Sequence, residues 1–252
     1  MNLEIRNLTK AFGGVRAIDD VSLVFPSGSL SAVIGPNGAG KSTFFNLISG
    51  AFPPDSGEVL LDGRDIVRLS RSERMHRGIG RAFQVASCFP TMTVVENLMA
   101  AVTAHIGQWG NLAYRFPPPG ARKRAEEVME LVGLTRVSNV EAAILSHGDQ
   151  KLLDIAIALS LEPKVLLLDE PTAGMGPEER WRMIEKVQEL WKQQKITVVF
   201  IEHDMDIVFK IAPEIVVLCY GRILATGTPD AIRQNPAVIE AYLGTEHSGE
   251  AA

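Results

Sequence analysis

The chain has 252 residues, 46% of them hydrophobic, and a formal net charge of −5. This length is enough to bury a core, and the negative charge argues against the basic face that nucleic-acid binding needs. No apolar run approaches the roughly 18 residues that cross a bilayer. Because the first residues also lack the pattern of a signal peptide, we expect the chain to stay in the cytoplasm. Cys88 and Cys219 lie far apart and predict neither a disulfide nor a metal site.

The N-terminal stretch predicts two strands. Apolar residues alternate from Leu3 onward, and Ala17 to Phe25 form a second strand-like run. Phe12 lies between them, in a loop with two glycines. Its ring can stack on a purine base or simply fill the edge of the sheet, and the spacing leaves both interpretations open.

A phosphate-binding loop is predicted at residues 35–43, which read Gly-Pro-Asn-Gly-Ala-Gly-Lys-Ser-Thr and fit G-x-x-x-x-G-K-[ST]. Apolar runs on both sides predict a strand before the loop and a helix after it. Backbone N–H groups and the positive helix end would surround an anion, with Lys41 at the terminal phosphates and Ser42 on magnesium. The alternative is a glycine-rich turn with a solvated lysine. The predicted nucleotide-binding residues of the loop are Asn37, Gly38, Ala39, Gly40, Lys41, Ser42 and Thr43.

The next segment predicts a hairpin, a short helix and a short strand. Asp62-Gly63 marks the hairpin turn, a helix begins near Ser72, and the strand 79–83 ends at Gln84. The neutral amide of Gln84 can occupy a magnesium ligand position or hold a water, although an isolated glutamine there is more commonly an ordinary loop residue.

Residues 85–145 predict a helical insertion. Apolar residues recur at helical spacing in two sets that Pro117-Pro118-Pro119-Gly120 separates. Trp109 and Tyr114 lie in the middle of the segment, where they form either a surface for a partner or the core of the insertion, and the sequence favours the core.

The segment Ser146-His147-Gly148-Asp149 begins an amphipathic helix. We predict that Ser146 is its N-cap and that Asp149 completes a capping box. The same helix start, with Ser146 and Gly148 at its tip, is a second anion site that faces outward.

Two buried strands are predicted to deliver polar groups at their carboxyl ends, where ligands bind in open α/β sheets. The run 165–168 ends in Asp169, which would face magnesium, and Glu170, which would polarise an attacking water. The run 197–201 delivers His203 toward the terminal phosphate, although a lone histidine is more commonly a loop residue without a ligand. The alternative for the acidic pair is that both carboxylates are solvated.

The order of these motifs resembles the nucleotide-binding subunit of an ABC transporter along nearly the whole chain. The resemblance implies an α/β P-loop NTPase fold, with a RecA-like mixed sheet, an N-terminal antiparallel β subdomain and an inserted helical subdomain. It implies one ABC ATPase domain over residues 1–252, with the insertion near 85–145 and a flexible tail at 245–252.

The resemblance also implies roles for single residues. Phe12 would stack on adenine, and Gln84 would link the magnesium site to the membrane subunits. Residues 145–149 would be the signature peptide, Glu170 the catalytic carboxylate and His203 the switch histidine.

The resemblance further implies the cofactors and partners. ATP and Mg²⁺ would bind, with Ser42, Gln84 and Asp169 near the metal. A second cassette, identical or homologous, two membrane permeases and, indirectly, an extracytoplasmic solute-binding protein would assemble with the chain at the cytoplasmic face of the membrane, without nucleic acid. The strings 171–175, 202–205 and 241–244 are similar to the importers of branched-chain amino acids, urea or short amides.

The sequence departs from the family pattern at three positions. The usual signature is Leu-Ser-Gly-Gly-Gln, and here His147 and Asp149 replace a glycine and the glutamine, while Ser146 and Gly148 are retained. A carboxylate near a triphosphate is repelled unless it turns away. Gly176 stands where the family usually has an Asp or Asn that communicates across the dimer.

Three other classes of protein are alternatives. A non-transport ABC ATPase of translation or DNA repair usually has two cassettes or a basic face, and this chain has one phosphate loop and neither feature. A regulatory module with a weakened site is motivated by His147 and Asp149. A GTP-binding switch is disfavoured because the sequence contains no Asn-Lys-x-Asp string.

Overall fold

The computed structural model describes residues 2–82, 88–106 and 117–246. They form two compact units, which are described separately. The first unit comprises Met1–Arg74 and Ile196–Ala252, and the second comprises Met75–Lys195.

The first unit contains an antiparallel sheet in the order β2-β1-β4-β5. Its strands are β1 (Leu3–Phe12), β2 (Val15–Phe25), β4 (Ser56–Leu61) and β5 (Arg64–Asp65). The alternation of the sequence buries Leu3, Ile5 and Leu8. This is the antiparallel part that the sequence predicted.

The first unit also contains a mixed sheet. Its central strand β3 (Leu30–Ile34) is buried throughout and runs parallel to β8 (Thr197–Ile201) and β9 (Glu214–Cys219). Strand β10 (Arg222–Gly227) pairs antiparallel with β9. The helices of this unit are α1 (Lys41–Ser49), α7 (Met205–Ile211), α8 (Pro229–Arg233) and α9 (Pro236–Glu246), and α2 (Arg71–Arg77) crosses from the first unit into the second.

The second unit pairs β6 (Ile79–Ala82) with β7 (Val165–Asp169) in parallel. Its helices are α3 (Val94–His105), α4 (Ala121–Val132), α5 (His147–Leu159) and α6 (Pro177–Gln194). Helices α3 and α4 lie inside the stretch predicted as an insertion, whose limits stay a prediction. The mixed sheet and the antiparallel sheet confirm the predicted α/β fold class.

Burial distinguishes the side chains of the cysteines and of α6. Both cysteines are free and half-buried. The core face of α6 is formed by Met183, Ile184, Val187 and Leu190. The apolar spacing of this helix predicts a stripe of Trp181, Ile184, Val187 and Trp191. Ile184 and Val187 are buried as predicted, whereas Trp181 and Trp191 are half-buried. Of the helices in the described ranges, none is long and apolar enough to cross a membrane.

Candidate functional site

The phosphate-binding loop joins β3 to α1, as the sequence predicted. Gly40 caps α1, whose first turn contains no acidic residue, so its positive end is not neutralised. Lys41 is 6% exposed, and its Nζ donates to the carbonyl oxygens of Gly35 at 2.7 Å and Pro36 at 3.0 Å. Asn37 and Gly38, at the tip of the loop, are exposed. The result is an open backbone cradle with a lysine across its base.

Two of the loop glycines are required by close packing. A Cβ on Gly35 would meet the carbonyl oxygen of Leu218, and a Cβ on Gly40 would meet that of Ala17. Both positions also have positive φ, 151° and 102°, which side chains disfavour. The close contacts with β2 and β9 are a reason for glycine that the sequence pattern alone does not give.

Phe12 lies at the end of β1 and is 49% exposed. Its ring meets Phe52 edge to face at 5.3 Å, and the Lys10 ammonium lies 5.6 Å from its centroid. Hydrogen bonds from Lys10 and from the backbone of Ala11 lower the pKa of Asp55, which anchors this corner. Phe12 is therefore half-exposed, and both the purine-stacking and the edge-filling interpretations stay open.

Tyr242 of α9 contacts the phosphate loop, and sequence reasoning missed this role. Burial raises the pKa of Tyr242 to about 12, against a hydrogen bond from the backbone of Gly35 that lowers it. Only the string 241–244, noted for its resemblance, pointed to this segment. Tyr242 thus supports the same residue whose carbonyl oxygen accepts from Lys41.

His203 follows β8 and is exposed. Its backbone N–H donates to the carboxylate of the buried Glu202 at 3.2 Å. The side chain of Asp204 accepts hydrogen bonds from Asp206 and Ile207 and caps α7. His203 therefore lies at a well-anchored strand end.

Asp169 ends β7 in the second unit and is 7% exposed. Its Oδ2 accepts a 2.8 Å hydrogen bond from Nη2 of Arg81 on the neighbouring strand β6. Burying a carboxylate without such a partner is energetically costly. The sequence predicted the position of Asp169 but not its cation.

Glu170 directly follows the strand, with φ of 50°. This left-handed conformation is uncommon for a residue other than glycine and often marks functional sites. It turns the chain sharply after Asp169, so that the two neighbouring carboxylates differ in exposure, Glu170 being the less buried. The prediction that they serve different purposes gains a geometric basis from this turn.

The tip of α5 confirms one capping prediction and corrects another. The Ser146 hydroxyl accepts from the Asp149 N–H at 3.2 Å, so Ser146 is the N-cap. Asp149 does not close a capping box, because its Oδ1 instead accepts a 2.6 Å bond from Nη2 of Arg136. The carboxylate is therefore neutralised by a neighbouring cation, which sequence reasoning missed.

The residues fit a magnesium ion only together with other ligands. Over the described ranges, no three His, Cys, Asp or Glu side chains form a metal-binding group. Mg²⁺ commonly takes one or two protein oxygens and completes its shell with phosphate oxygens and water. Ser42 in the first unit has an exposed hydroxyl, Asp169 in the second unit has a buried carboxylate, and each is by itself a donor of this kind. Gln84, the third predicted residue near the metal, lies outside the described residues, as do Trp109 and Tyr114.

Comparison with known families gives two matches. The sequence model described as ABC transporter matches residues 18–173. The model described as branched-chain amino acid ATP-binding cassette transporter matches residues 222–248, the segment that contains Tyr242.

The chain is similar to individual proteins over nearly its whole length. The high-affinity branched-chain amino acid transport ATP-binding protein BraF of Pseudomonas aeruginosa is 40% identical over 249 residues, covering 96% of this chain and 97% of its own length. The crystal structure of the ADP conformation of MJ1267, an ATP-binding cassette of an ABC transporter, superposes with a TM-score of 0.85 at 33% identity, over 97% of this chain and 99% of that one. A dimeric post-hydrolysis structure of the cassette MJ0796, bound to ADP and Pi, gives a TM-score of 0.76 at 27% identity, over 90% and 98% of the two chains.

Proposed function

The chain belongs to the ABC transporter family, and from that premise we propose that it is the ATP-hydrolysing subunit of an importer of branched-chain amino acids. The name of the relative BraF supports the solute class, and the match of residues 222–248 supports the subgroup. Urea and short amides remain the second solute class that the sequence strings suggested.

The observation that carries the proposal is the cradle at residues 35–43, with an uncompensated helix end and a buried Lys41. In the nucleotide complex Lys41 leaves the loop carbonyls for the β- and γ-phosphates, which are stronger acceptors. The other loop residues, from Asn37 to Thr43, give their backbone N–H groups to the phosphates, and Phe12 stacks on adenine.

Hydrolysis is attributed to groups at the ends of β7 and β8. Mg²⁺, when bound, offsets the negative charge of the phosphates, and Ser42, Asp169 and Gln84 would hold it. Glu170 orients the attacking water and accepts its proton, and His203 donates a hydrogen bond to the γ-phosphate. Positioning and charge stabilisation of this kind account for most of the catalysis in phosphoryl transfer.

The complete site needs a second cassette. We infer a head-to-tail pair in which Ser146 and Gly148 of one chain contact the nucleotide of the other, as supported by the dimeric form of the related MJ0796 cassette. The Arg136–Asp149 pair supports a competent rather than a weakened signature, because it removes the charge that would repel the triphosphate.

An exposed apolar patch in the second unit supports docking to a permease at the cytoplasmic face of the membrane. Phe89, Met92 and Ile144 are 51%, 38% and 74% exposed. Backbone hydrogen bonds join the segments that carry them, from Ala142 to Met92 at 2.9 Å and from Ala143 to Pro90 at 3.0 Å. Exposed apolar side chains close together are typical of a protein interface.

Transport by the assembled importer tests this function. The chain, its partner cassette and the permeases would be reconstituted in vesicles with the solute-binding protein, and ATP-dependent uptake of labelled leucine and labelled urea would be compared. We expect leucine uptake that Lys41→Ala abolishes. Uptake of neither solute, with normal ATP hydrolysis, would overturn the solute class and leave the ATPase assignment standing.

A further inference from the structure

Two segments that the proposed function assigns to different nucleotides touch each other inside the second unit. His147 follows Ser146 at the tip of α5, and Gly174 lies in the loop between β7 and α6. A methyl group added to Gly174 would stand 3.1 Å from Cε1 of His147, 3.6 Å from Nε2 and 3.7 Å from Nδ1. Three ring atoms at these distances mean that the imidazole ring packs against the backbone of Gly174.

Glycine is needed at position 174 for two separate reasons. Its φ of 79° lies in the left-handed region, which L side chains disfavour. A Cβ there would also press on the ring of His147. The contact therefore depends on a large flat side chain at one position and on no side chain at the other.

The loop connects this contact to Glu170. The Ala173 N–H donates to the Glu170 carbonyl oxygen at 3.1 Å, and the Met175 N–H donates to that of Thr172 at 3.2 Å. Thr172 and Met175 are each 3% exposed. A tightly packed loop of this kind transmits a displacement instead of absorbing it.

The tip of α5 also rests on the start of α6. A methyl group added to Gly148 would stand 3.2 Å from Cδ of Glu179 and 3.5 Å from its Cγ. Glu179 lies in the first turn of α6, the helix that begins directly after the Gly174 loop. The tip of α5 therefore contacts the segment from the Gly174 loop to the first turn of α6 at two points, and only the His147 contact involves the loop.

From these contacts we propose that His147 is a positioning residue that couples the tip of α5 to Glu170. The inference rests on the proposed function, in which Ser146 contacts the nucleotide of the other chain while Glu170 acts on its own. Through its ring, His147 makes the position of Glu170 at one site depend on whether a nucleotide is bound at the other site. It does so in a chain where Gly176 lacks the side chain expected to communicate between the sites.

The test compares two substitutions at His147 in the assembled importer. His147→Ala removes the ring, and His147→Phe keeps a ring of similar size without the nitrogen atoms. We expect His147→Ala to lower kcat about three- to tenfold, the range of an aromatic packing contact, and to bring the Hill coefficient for ATP close to 1. His147→Phe should restore most of both values.

Two further measurements separate positioning from general structural damage. ATP affinity of the isolated subunit, measured by calorimetry, should be the same in both variants and in the wild type, because His147 does not contact its own phosphate loop in this mechanism. Thermal unfolding reports whether the exposed His147 matters for folding. His105→Ala, at another histidine of the second unit, is the matched control and should leave the kinetics unchanged.

The outcomes distinguish this inference from the function on which it rests. A wild-type kcat and Hill coefficient in His147→Ala, or a non-cooperative wild type, would overturn the coupling alone. His147→Phe as slow as His147→Ala would also overturn it, because the ring nitrogens would then act directly on a ligand. Absence of ATP hydrolysis in the wild-type importer would instead contradict the proposed function.

Discussion

Arg136 neutralises Asp149 at the tip of α5 through a 2.6 Å contact between Nη2 and Oδ1. The carboxylate side chain is 9% exposed while the arginine is 67% exposed. A cation from outside the helix therefore compensates the acidic residue that departs from the usual signature. In the proposed function, the tip of α5 would therefore approach a phosphate group with less Coulomb repulsion than the sequence alone suggests.

We expect Arg136→Ala to weaken ATP-dependent activity by about 1 to 2 kcal/mol, or roughly five- to thirtyfold in kcat/KM, because it leaves a poorly solvated carboxylate uncompensated. Asp149→Asn should restore activity in the double variant by removing the charge. Steady-state hydrolysis by the assembled importer measures both effects. Arg122→Ala, which breaks only the exposed pair with Glu126, is the control. No rescue by Asp149→Asn would show that Arg136 acts otherwise.

Glu170→Gln should retain ATP binding and lose most turnover. The amide has the shape of the carboxylate but cannot accept a proton, and general-base catalysis contributes about 10²- to 10⁴-fold to rate. Binding is measured by calorimetry and turnover by phosphate release from the assembled importer. Unchanged steady-state hydrolysis would contradict the assigned role of Glu170.

Lys41→Ala should weaken ATP binding by about 1.5 to 3 kcal/mol, roughly ten- to hundredfold, the range for hydrogen bonds to charged groups. The substitution also removes the bonds to Gly35 and Pro36, so circular dichroism must confirm that the loop variant is folded. Lys192→Ala, at an exposed position in the last turn of α6, is the matched control. A wild-type affinity for ATP in Lys41→Ala would argue against the phosphate-loop assignment.

Much of the fold and the positions of the main site residues could be predicted because they depend on local patterns. The strand, turn and helix around Lys41 and the strand ending at Asp169 each follow from a continuous apolar run next to polar residues. Pro177 likewise opens α6, as expected for a proline in the first turn of a helix. These features need no knowledge of which segments meet in space.

The supporting contacts could not be predicted because they join distant segments through tertiary packing. Arg81 and Arg136 are two of many arginines, and only the fold brings them to Asp169 and Asp149. The left-handed φ of Glu170 has no signal in its residue type. In α6, the inward face was predicted only in part, because tertiary packing decides which residues of one broad apolar face are covered.

Arg74 anchors the C-terminal end of α1 and should matter for stability. It is 1% exposed and donates to the carbonyl oxygens of Leu47 at 2.6 Å and Ile48 at 2.9 Å, which lie in the last turn of α1. Its remaining bonds go to Val67 and Leu69. Burial lowers the pKa of Arg74, but the guanidinium stays charged at neutral pH and complements the helix dipole.

Arg74→Met should therefore lower the free energy of unfolding by about 3 kcal/mol, because it leaves several buried carbonyl groups without a donor. Urea denaturation followed by circular dichroism measures the change. Arg77→Met, at an exposed position of the same helix, should change stability by less than about 0.5 kcal/mol. Equal stability of the two variants would mean that water replaces the guanidinium.

Tyr242 should make stability depend on pH only in the alkaline range. Burial raises its pKa to about 12, above the value of about 10 expected in the unfolded chain. The folded state therefore holds the phenolic proton more tightly, so the stabilisation is fully present below pH 10 and is lost as pH rises toward 12.

Comparing urea denaturation of Tyr242→Phe and the wild type from pH 8 to the highest pH that permits refolding isolates this contribution. The variant should lose stability less steeply above pH 10, whereas Tyr220→Phe, at a tyrosine that is 83% exposed, should follow the wild type. Parallel curves for Tyr242→Phe and the wild type would mean that the phenol is solvated and does not support Gly35.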